Sequence, residues 1–384
     1  MPELGPAEVQ IWATSTGGGH RRVAEALRLA LLAMAPPGLR VAIDDPLQLG
    51  ALPHAQLLLR GYGPVVRTSP TLWGKLFDFF SLPPARIALE RFLLSGVGPA
   101  MRQATMARHP GVVVNCHPLL GPGAALAAGR ISPPAQLVTL ITDLTVVHPG
   151  WLSPRTARFL TPSAVATSWC VDQGVSGASV VEVGLPVDPR LRNGSPLERP
   201  ARRAHLGVDP DLICILVGGG GEGAGRLLPL VTAVGLSGLP VQLVVLCGRN
   251  RRLLRAVRRL RLRIPLRALP YLQDPSPWLL ASDIYVGKAG PSALAEAAAA
   301  GLAIIVTDAL PGQETSNREL LVNAGAALSV ASPAELVSAL TTLAAGAPDA
   351  LAKMQSRARE WSRPDAADRA AAEILALMPP LSPH

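Results

Sequence analysis

VGKAGPSALAEAAAAGLAIIVTDALPGQETSNRELLVNAGAAL, residues 286–328, reads as strand, turn, helix, strand, turn and helix in direct succession. The strand runs to Val286, and after it Gly290, Pro291 and Ser292 open the first helix. Proline suits a first helical position because that N–H has no intrahelical partner to lose. The remaining free N–H groups and the Ser292 hydroxyl suit an anion such as a diphosphate. Glu296 follows Ser292 by four residues, which places it one turn on along the same face, within reach of both hydroxyls of a ribose. Gln313 and Glu314 follow the next strand and begin the second helix, with Asn317 one turn further. Open α/β sheets bind ligands outside the C-terminal ends of their strands, so these residues share one ligand-bearing edge suited to phosphate, ribose and sugar.

The same alternation extends outward. Residues 212–217, 241–246, 264–269, 283–286 and 303–307 read as strands separated by helical segments. In the first half the corresponding runs are 9–14, 40–43, 112–114, 136–141 and 180–183. Between the first two, RRVAEALRLALLAM (residues 21–34) carries Val23, Ala26, Leu27, Ala30, Leu31 and Met34 as one apolar helical stripe. Such patterning predicts parallel sheets covered on both faces. The chain has 384 residues, 49% of them hydrophobic and 16% charged, which supplies two cores. The expected fold is α/β, with two Rossmann-like doubly wound domains. GLPVDPRLRNGSPLERP (184–200) breaks the periodicity and predicts a boundary near residue 190. The domains are then 1–190 and 191–350, followed by a helical segment and tail, 351–384.

Cys116, Cys170, Cys214 and Cys247 lie far apart without a CxxC pair, so no metal site or disulfide framework is expected. No signal peptide is legible at the N-terminus, and the longest uncharged window, 111–129, contains Asn115, His117, Pro118 and Pro122 and reads as strand, loop and helix start. A soluble or membrane-peripheral cytoplasmic protein is the expectation. The net charge is +9, and RNRRLLRAVRRLRLRIPLR (249–267) forms an amphipathic basic helix over Leu253, Leu254, Val257 and Leu260. It reads as a solvated outer face or as a contact for an anionic membrane surface. No aromatic residue interleaves with these arginines, which argues against nucleic acid.

Two further glycine-rich turns follow strands. TSTGGGH (14–20) opens the helix of residues 21–34, and Gly18 and Gly19 let a backbone approach a ligand closely. A dinucleotide reading would use Gly17, Gly19 and Asp44, but Arg22 occupies the third glycine position. His20 stands in the first helical turn, where the helix N-terminus disfavours the imidazolium and keeps a neutral base. A capping or packing histidine is the plainer alternative. In VGGGGEGAGR (217–226), Gly218, Gly220 and Gly223, with Gly219 between them, satisfy GxGxxG, but Arg249 stands where an NAD fold would want an acid, which leaves only a 2′-phosphorylated cofactor open. His117 in NCHP, and Asp143 with His148 in TDLTVVHPGW, follow strands of the first half; Asp143 can serve as a base or orient one. Residues 57–94 gather Tyr62, Trp73, Phe77, Phe79, Phe80 and Phe92, either as a lipid-facing surface or as an ordinary helical pair.

Taken together, KAGPSALAEA, LPGQETSN, TSTGGGH, TDLTVVHPGW and CGRN resemble the glycosyltransferase family 28 signature. That family includes plant-type monogalactosyldiacylglycerol synthases, processive diacylglycerol glucosyltransferases and the peptidoglycan GlcNAc transferase. The motifs point to the diacylglycerol branch. The resemblance implies a GT-B fold, with an acceptor domain, a donor domain and a C-terminal helix crossing back. It implies inverting, metal-independent transfer of galactose or glucose from a UDP-sugar to diacylglycerol or a related lipid, with no cofactor. By resemblance Gly290 and Ser292 hold the diphosphate, Glu296 the uridine ribose, Gln313 and Glu314 the sugar, and His20 acts in catalysis. Gly219, Gly220, Arg249, Lys288 and Asn317 join the donor side; Gly18, Gly19, His117 and His148 join the acceptor side. Ser292 and Ala293 stand where the family often has Gly and Thr, and Ala303 replaces a proline. A GlcNAc transferase, a UDP-sugar epimerase and a non-enzymatic nucleotide-sugar-binding protein are the alternatives.

Overall fold

A computed structural model describes residues 8–14, 18–50, 52–192, 198–345 and 349–379. Ser15, Thr16 and Gly17 of the first glycine-rich turn, the centre of the interdomain join and the last residues of the Pro-rich tail lie outside them.

The chain divides into two compact units. Among the described residues, the first comprises those up to Pro64, from Gly74 to Pro189 and from Asp365 onward; the second comprises Val65–Trp73 and Arg190–Pro364.

The first unit is built on β1 (Glu8–Trp12), α1 (Gly19–Met34) and β2 (Arg40–Asp44), followed by three helices, α2 (Pro53–Thr68), α3 (Pro70–Ser81) and α4 (Pro83–Arg108). Then come β3 (Val112–Asn115), α5 (Gly121–Ala128), β4 (Gln136–Leu140), β5 (Thr156–Thr161), α6 (Ala164–Asp172) and β6 (Val180–Glu182). The six strands are parallel in the order β2-β1-β3-β4-β5-β6. Strand order reverses between β1 and β3; His20 stands in the first turn of the helix that follows β1, and His117 in the loop that leaves β3. β1 and β3 are buried along their whole length, as expected of a parallel sheet with both faces covered. At the outer end, Arg108 pairs with Asp44 (2.8 Å) and Glu8 (2.8 Å), and Gln10 donates to Asp44 (2.7 Å). Asp44 is thereby committed to the fold, which removes the acid that a dinucleotide reading would need.

The second unit contains α7 (Arg199–Leu206), β7 (Ile213–Gly218), α8 (Leu227–Leu236), β8 (Val241–Leu246), α9 (Arg251–Arg258), β9 (Leu266–Leu269) and α10 (Ser276–Ala281). It continues with β10 (Ile284–Lys288), α11 (Pro291–Ala299), β11 (Ala303–Asp308), α12 (Thr315–Asn323), β12 (Ala327–Ser329), α13 (Pro333–Ala345) and α14 (Ala350–Trp361). Its parallel sheet runs β12-β11-β10-β7-β8-β9, the Rossmann order, with the reversal between β7 and β10. The apolar core joins β7, β8, β10 and β11 to α8, α9, α13 and α14.

The expected single segment 351–384 is two helices. α14 stays in the second unit against α11 and β11, while α15 (Ala366–Leu375) packs on α1. Pro364 explains the break, since a proline disfavours helical backbone in the residue before it.

The expected basic helix of 249–267 is amphipathic but shorter, α9 covering only Arg251–Arg258, because the chain then turns at 260–265 and enters β9. Leu253 and Val257 are buried, and Arg251, Arg252, Arg255 and Arg258 are exposed. Arg267, by contrast, is used by the fold, donating to the carbonyls of Leu206 and Gly207 where α7 ends. No helix among the described residues is long and apolar enough to cross a membrane.

Candidate active site

In the second unit the glycines after β7 are required first by backbone packing. A Cβ at Gly219 would lie 2.0 Å from the Ala224 carbonyl oxygen, and one at Gly223 would lie 2.0 Å from that of Cys247. Gly223 also has φ +60°, and Arg249 N–H donates to the Gly221 carbonyl (2.9 Å). The β7–α8 and β8–α9 loops are thus stacked backbone to backbone. Gly220 (φ +70°) brings its backbone beside Lys288, whose Cε a Cβ there would meet at 3.4 Å.

Lys288, the last residue of β10, forms an ion pair with Glu314, whose other oxygen accepts from the Leu310 N–H (3.0 Å). The pair lies over the start of α11: a Cβ on Gly290 would be 3.1 Å from Lys288 Nζ and 3.5 Å from Glu314 Oε1. Gly290 is the N-cap and Pro291 the first helical residue, with no acidic residue in the first turn and no side-chain cap. The positive end of α11 and the Lys288 ammonium therefore converge on one spot that a diphosphate would satisfy. Asn317 donates to the Ala289 carbonyl (3.1 Å), which fixes α12 against this turn. Ser292 is half-buried in the first turn, and Glu296 is buried one turn later. Tyr285 lies beneath; burial, with the Glu314 and Glu296 carboxylates, drives its phenol pKa far up.

Two residues expected on the donor have additional ties. The Gln313 side-chain Oε1 accepts from Trp73 Nε1 (3.2 Å), and Trp73 belongs to the segment that clusters with the second unit. Arg249 pairs with Glu222 (3.0 Å) and lies 4.0 Å over the ring of Tyr271, while Arg67 takes the other Glu222 oxygen. The aromatic residues of 57–94 therefore have different surroundings. Trp73 holds Gln313, Phe77 is buried edge-on against His148 (5.3 Å), and Phe79 and Phe92 remain exposed.

In the first unit, Gly18 caps α1 in a left-handed conformation (φ 83°), which launches Gly19 and His20 into the first turn. The His20 ring stands 4.7 Å edge-on from His117 and 6.0 Å from Trp151, and its Nδ1 meets Thr142 Oγ1 at 2.9 Å. Burial lowers the His20 pKa to about 4. Sequence reasoning expected that direction but credited the helix terminus, whereas desolvation is the cause. His148 is lowered to about 4 by burial and then by Arg86, opposed by a hydrogen bond with the Phe80 backbone. His117 is held well below the ordinary imidazole value by burial and by its neighbours His20 and His148.

Asp143 is not bonded to His20. Its Oδ2 accepts from Trp151 Nε1 (2.7 Å) and from the His148 N–H (3.2 Å). Burial raises its pKa to about 6 against these two bonds. Its visible action is to hold the indole beside His20. Thr142 and Trp151, both inside the TDLTVVHPGW motif, are the residues that motif reading passed over; the signal was a hydroxyl adjoining the acid where β4 ends.

The chain matches the monogalactosyldiacylglycerol (MGDG) synthase family model over residues 20–187 and the glycosyltransferase family 28 C-terminal domain over 214–370. It is 32% identical to a probable monogalactosyldiacylglycerol synthase 2 of Oryza sativa subsp. indica, over 85% of this chain and 71% of that protein. It is 29% identical to the monogalactosyldiacylglycerol synthase of Spinacia oleracea, over 94% and 70% respectively. Among solved structures, MurG of Acinetobacter baumannii superposes with TM-score 0.56 at 19% identity, covering 97% of this chain and 100% of that one. Anabaena Alr3699/HepE in complex with UDP-glucose gives 0.58 at 13% identity, covering 96% and 99%. The solved structures establish the GT-B fold, and the sequence relatives establish the lineage: this chain is a glycosyltransferase that belongs to the monogalactosyldiacylglycerol synthase family.

Proposed function

We propose that the protein transfers galactose from UDP-galactose to the free hydroxyl of diacylglycerol, with inversion at the anomeric carbon. The observation that carries this reading is the Lys288 ammonium laid over the uncapped N-terminus of α11 at the strand-order reversal. There the departing diphosphate meets a full positive charge and aligned N–H groups, a preorganised stabiliser of a leaving group. Glu296 is positioned for the ribose hydroxyls and Gln313 for the sugar. Glu314 contributes by holding Lys288. In this reading the leaving group is met by these residues without a cofactor.

His20 is the base. As the lipid hydroxyl oxygen bonds to the anomeric carbon and the bond to UDP breaks, the hydroxyl proton passes to His20 Nε2. A base with a pKa near 4 takes that proton only as bond formation acidifies the hydroxyl, so the transfer is concerted. Its low pKa also keeps it neutral throughout the working range. Leu57, Leu82, Phe79 and Phe92, 77%, 56%, 54% and 48% exposed on and between α2, α3 and α4, suit contact with a bilayer. The arginine face of α9 adds attraction to anionic lipids, giving a peripheral enzyme on a cytoplasmic membrane face.

Galactose as donor sugar and diacylglycerol as acceptor follow the activity named for the family relatives. The epimerases among the fold neighbours share 14% identity, a level that speaks for fold alone. The test is incubation of the purified protein with labelled UDP-galactose, UDP-glucose and UDP-GlcNAc and diacylglycerol in mixed micelles. A labelled monogalactosyl lipid is the expected product. Absence of any lipid product, or sugar isomerisation alone, would overturn the reading.

A further inference from the structure

Three histidines crowd the ligand edge of the first sheet, and their hydrogen bonds separate them. His117 Nδ1 accepts from the Leu119 N–H (3.2 Å), and His148 Nδ1 accepts from the Gly150 N–H (3.0 Å). A backbone N–H can only donate, so both rings, when neutral, carry their proton on Nε2 and have no lone pair there to offer. His20 differs. Its Nδ1 faces the Thr142 hydroxyl, a group able to accept as well as donate, and its Nε2 has no hydrogen-bond partner among the described residues.

We infer that Thr142 is a positioning residue of the transfer reaction: its hydroxyl accepts the Nδ1–H of His20 and fixes the tautomer whose Nε2 takes the acceptor's proton. The hydrogen bond at one imidazole nitrogen decides which of the two carries the proton. Thr142 is well placed for this. It is 4% exposed, and its neighbours on both sides are held, Ile141 N–H by the Leu160 carbonyl (2.9 Å) and Asp143 by Trp151 and His148. A β-branched side chain there has little freedom about χ1. A carboxylate at this position would fix the same tautomer but would also favour the imidazolium. A hydroxyl orients the ring while leaving the base neutral. Asp143 supplies the second restraint through the Trp151 indole.

This inference rests on His20 as the base, and the experiment separates the two. In full-length protein labelled with 15N-histidine, the His20 resonances of the wild type should report Nδ1–H with an unprotonated Nε2. In Thr142→Val, nearly isosteric but without the hydroxyl, the signal should move toward the Nε2–H tautomer. Its kcat should fall about tenfold to a hundredfold, with KM for the UDP-sugar within about twofold. Thr142→Ser should recover most of the rate. An Nε2–H tautomer in the wild type would overturn the inference without recourse to any variant. Thr142→Val at full kcat, or Thr142→Ser as slow as the valine variant, would overturn it too. Wild-type turnover by His20→Ala would instead remove His20 as the base, and with it the catalytic part of the inference.

Discussion

The two ligand edges solve the problem of a buried polar group in opposite ways. In the first unit, His20, His117 and His148 are kept neutral by burial, and the nearby carboxylate, Asp143, is spent on an indole and a backbone N–H. In the second unit, Lys288 and Glu314 are paired over a helix terminus. A proton acceptor has to be uncharged before the reaction, so desolvation serves it. A phosphate cradle has to carry positive charge before the ligand arrives, so the second unit brings a counter-ion to hold that charge in place.

The largest expected effect breaks the first edge chemically. His20→Ala should lower kcat by about 10² to 10⁴, the usual range for a lost general base. UDP affinity, measured by calorimetry, should stay within about twofold because the donor residues are untouched. Turnover near that of the wild type would remove His20 from the mechanism.

Next comes the cradle. Lys288→Met leaves the Glu314 carboxylate buried without its cation and should cost about 3 to 5 kcal/mol of stability. Urea unfolding measures that loss. Adding Glu314→Gln should restore much of the stability while UDP binding stays weak. If the double variant bound UDP as the wild type does, Lys288 would be a structural partner only.

The smallest effect is pH-dependent and sets the two edges apart. His20 and His148, with folded pKa values near 4 against an ordinary 6.5, stabilise the fold fully above about pH 6.5, and this contribution is lost as pH falls toward 4. His117 acts in the same direction. Asp143, raised to about 6 from 3.8, works the other way, gaining as pH falls from 6 toward 3.8. Three imidazoles outweigh one carboxyl, so the melting temperature should decline from pH 7 to pH 5. His148→Asn, whose amide oxygen can still take the Gly150 N–H, should make that decline shallower. An unchanged slope would show that the histidine pocket is not the source.

Much of the fold was legible because local chemistry repeats. Residues 241–246 form β8 as read, and Pro291 stands at the first position of α11. β5 went unread because TARFLT mixes threonines and an arginine into a strand only half of which is buried, opposite a register shift at Leu137/Val138. β12, ALS, has no β-branched residue and two of its three residues are exposed, so it lacks the valine run that marks the equally short β6. At the sites, residue types were readable and partners were not. Arg249 was visible as a charge, but its commitment to Glu222 and Tyr271 was not, and Thr142 was one polar residue among many.

By itself the sequence determined the βα alternation, the two parallel sheets, the helix starts and the polar residues clustered after the strands, all of which depend on neighbours within a turn or a pleat. Only the tertiary structure decided which of them meet. His20 reaches Thr142 across 122 residues, and Lys288 reaches Glu314 across 26, because the strand order leaves only β3 between β1 and β4 and sets β10 beside β11. Loop closure grows only slowly more costly with length, so the alternation alone is compatible with many strand orders. The burial and packing of the whole sheet choose among them, and with that choice they place the Thr142 hydroxyl beside His20, whereas the backbone N–H groups on His117 and His148 come from residues two further along the chain.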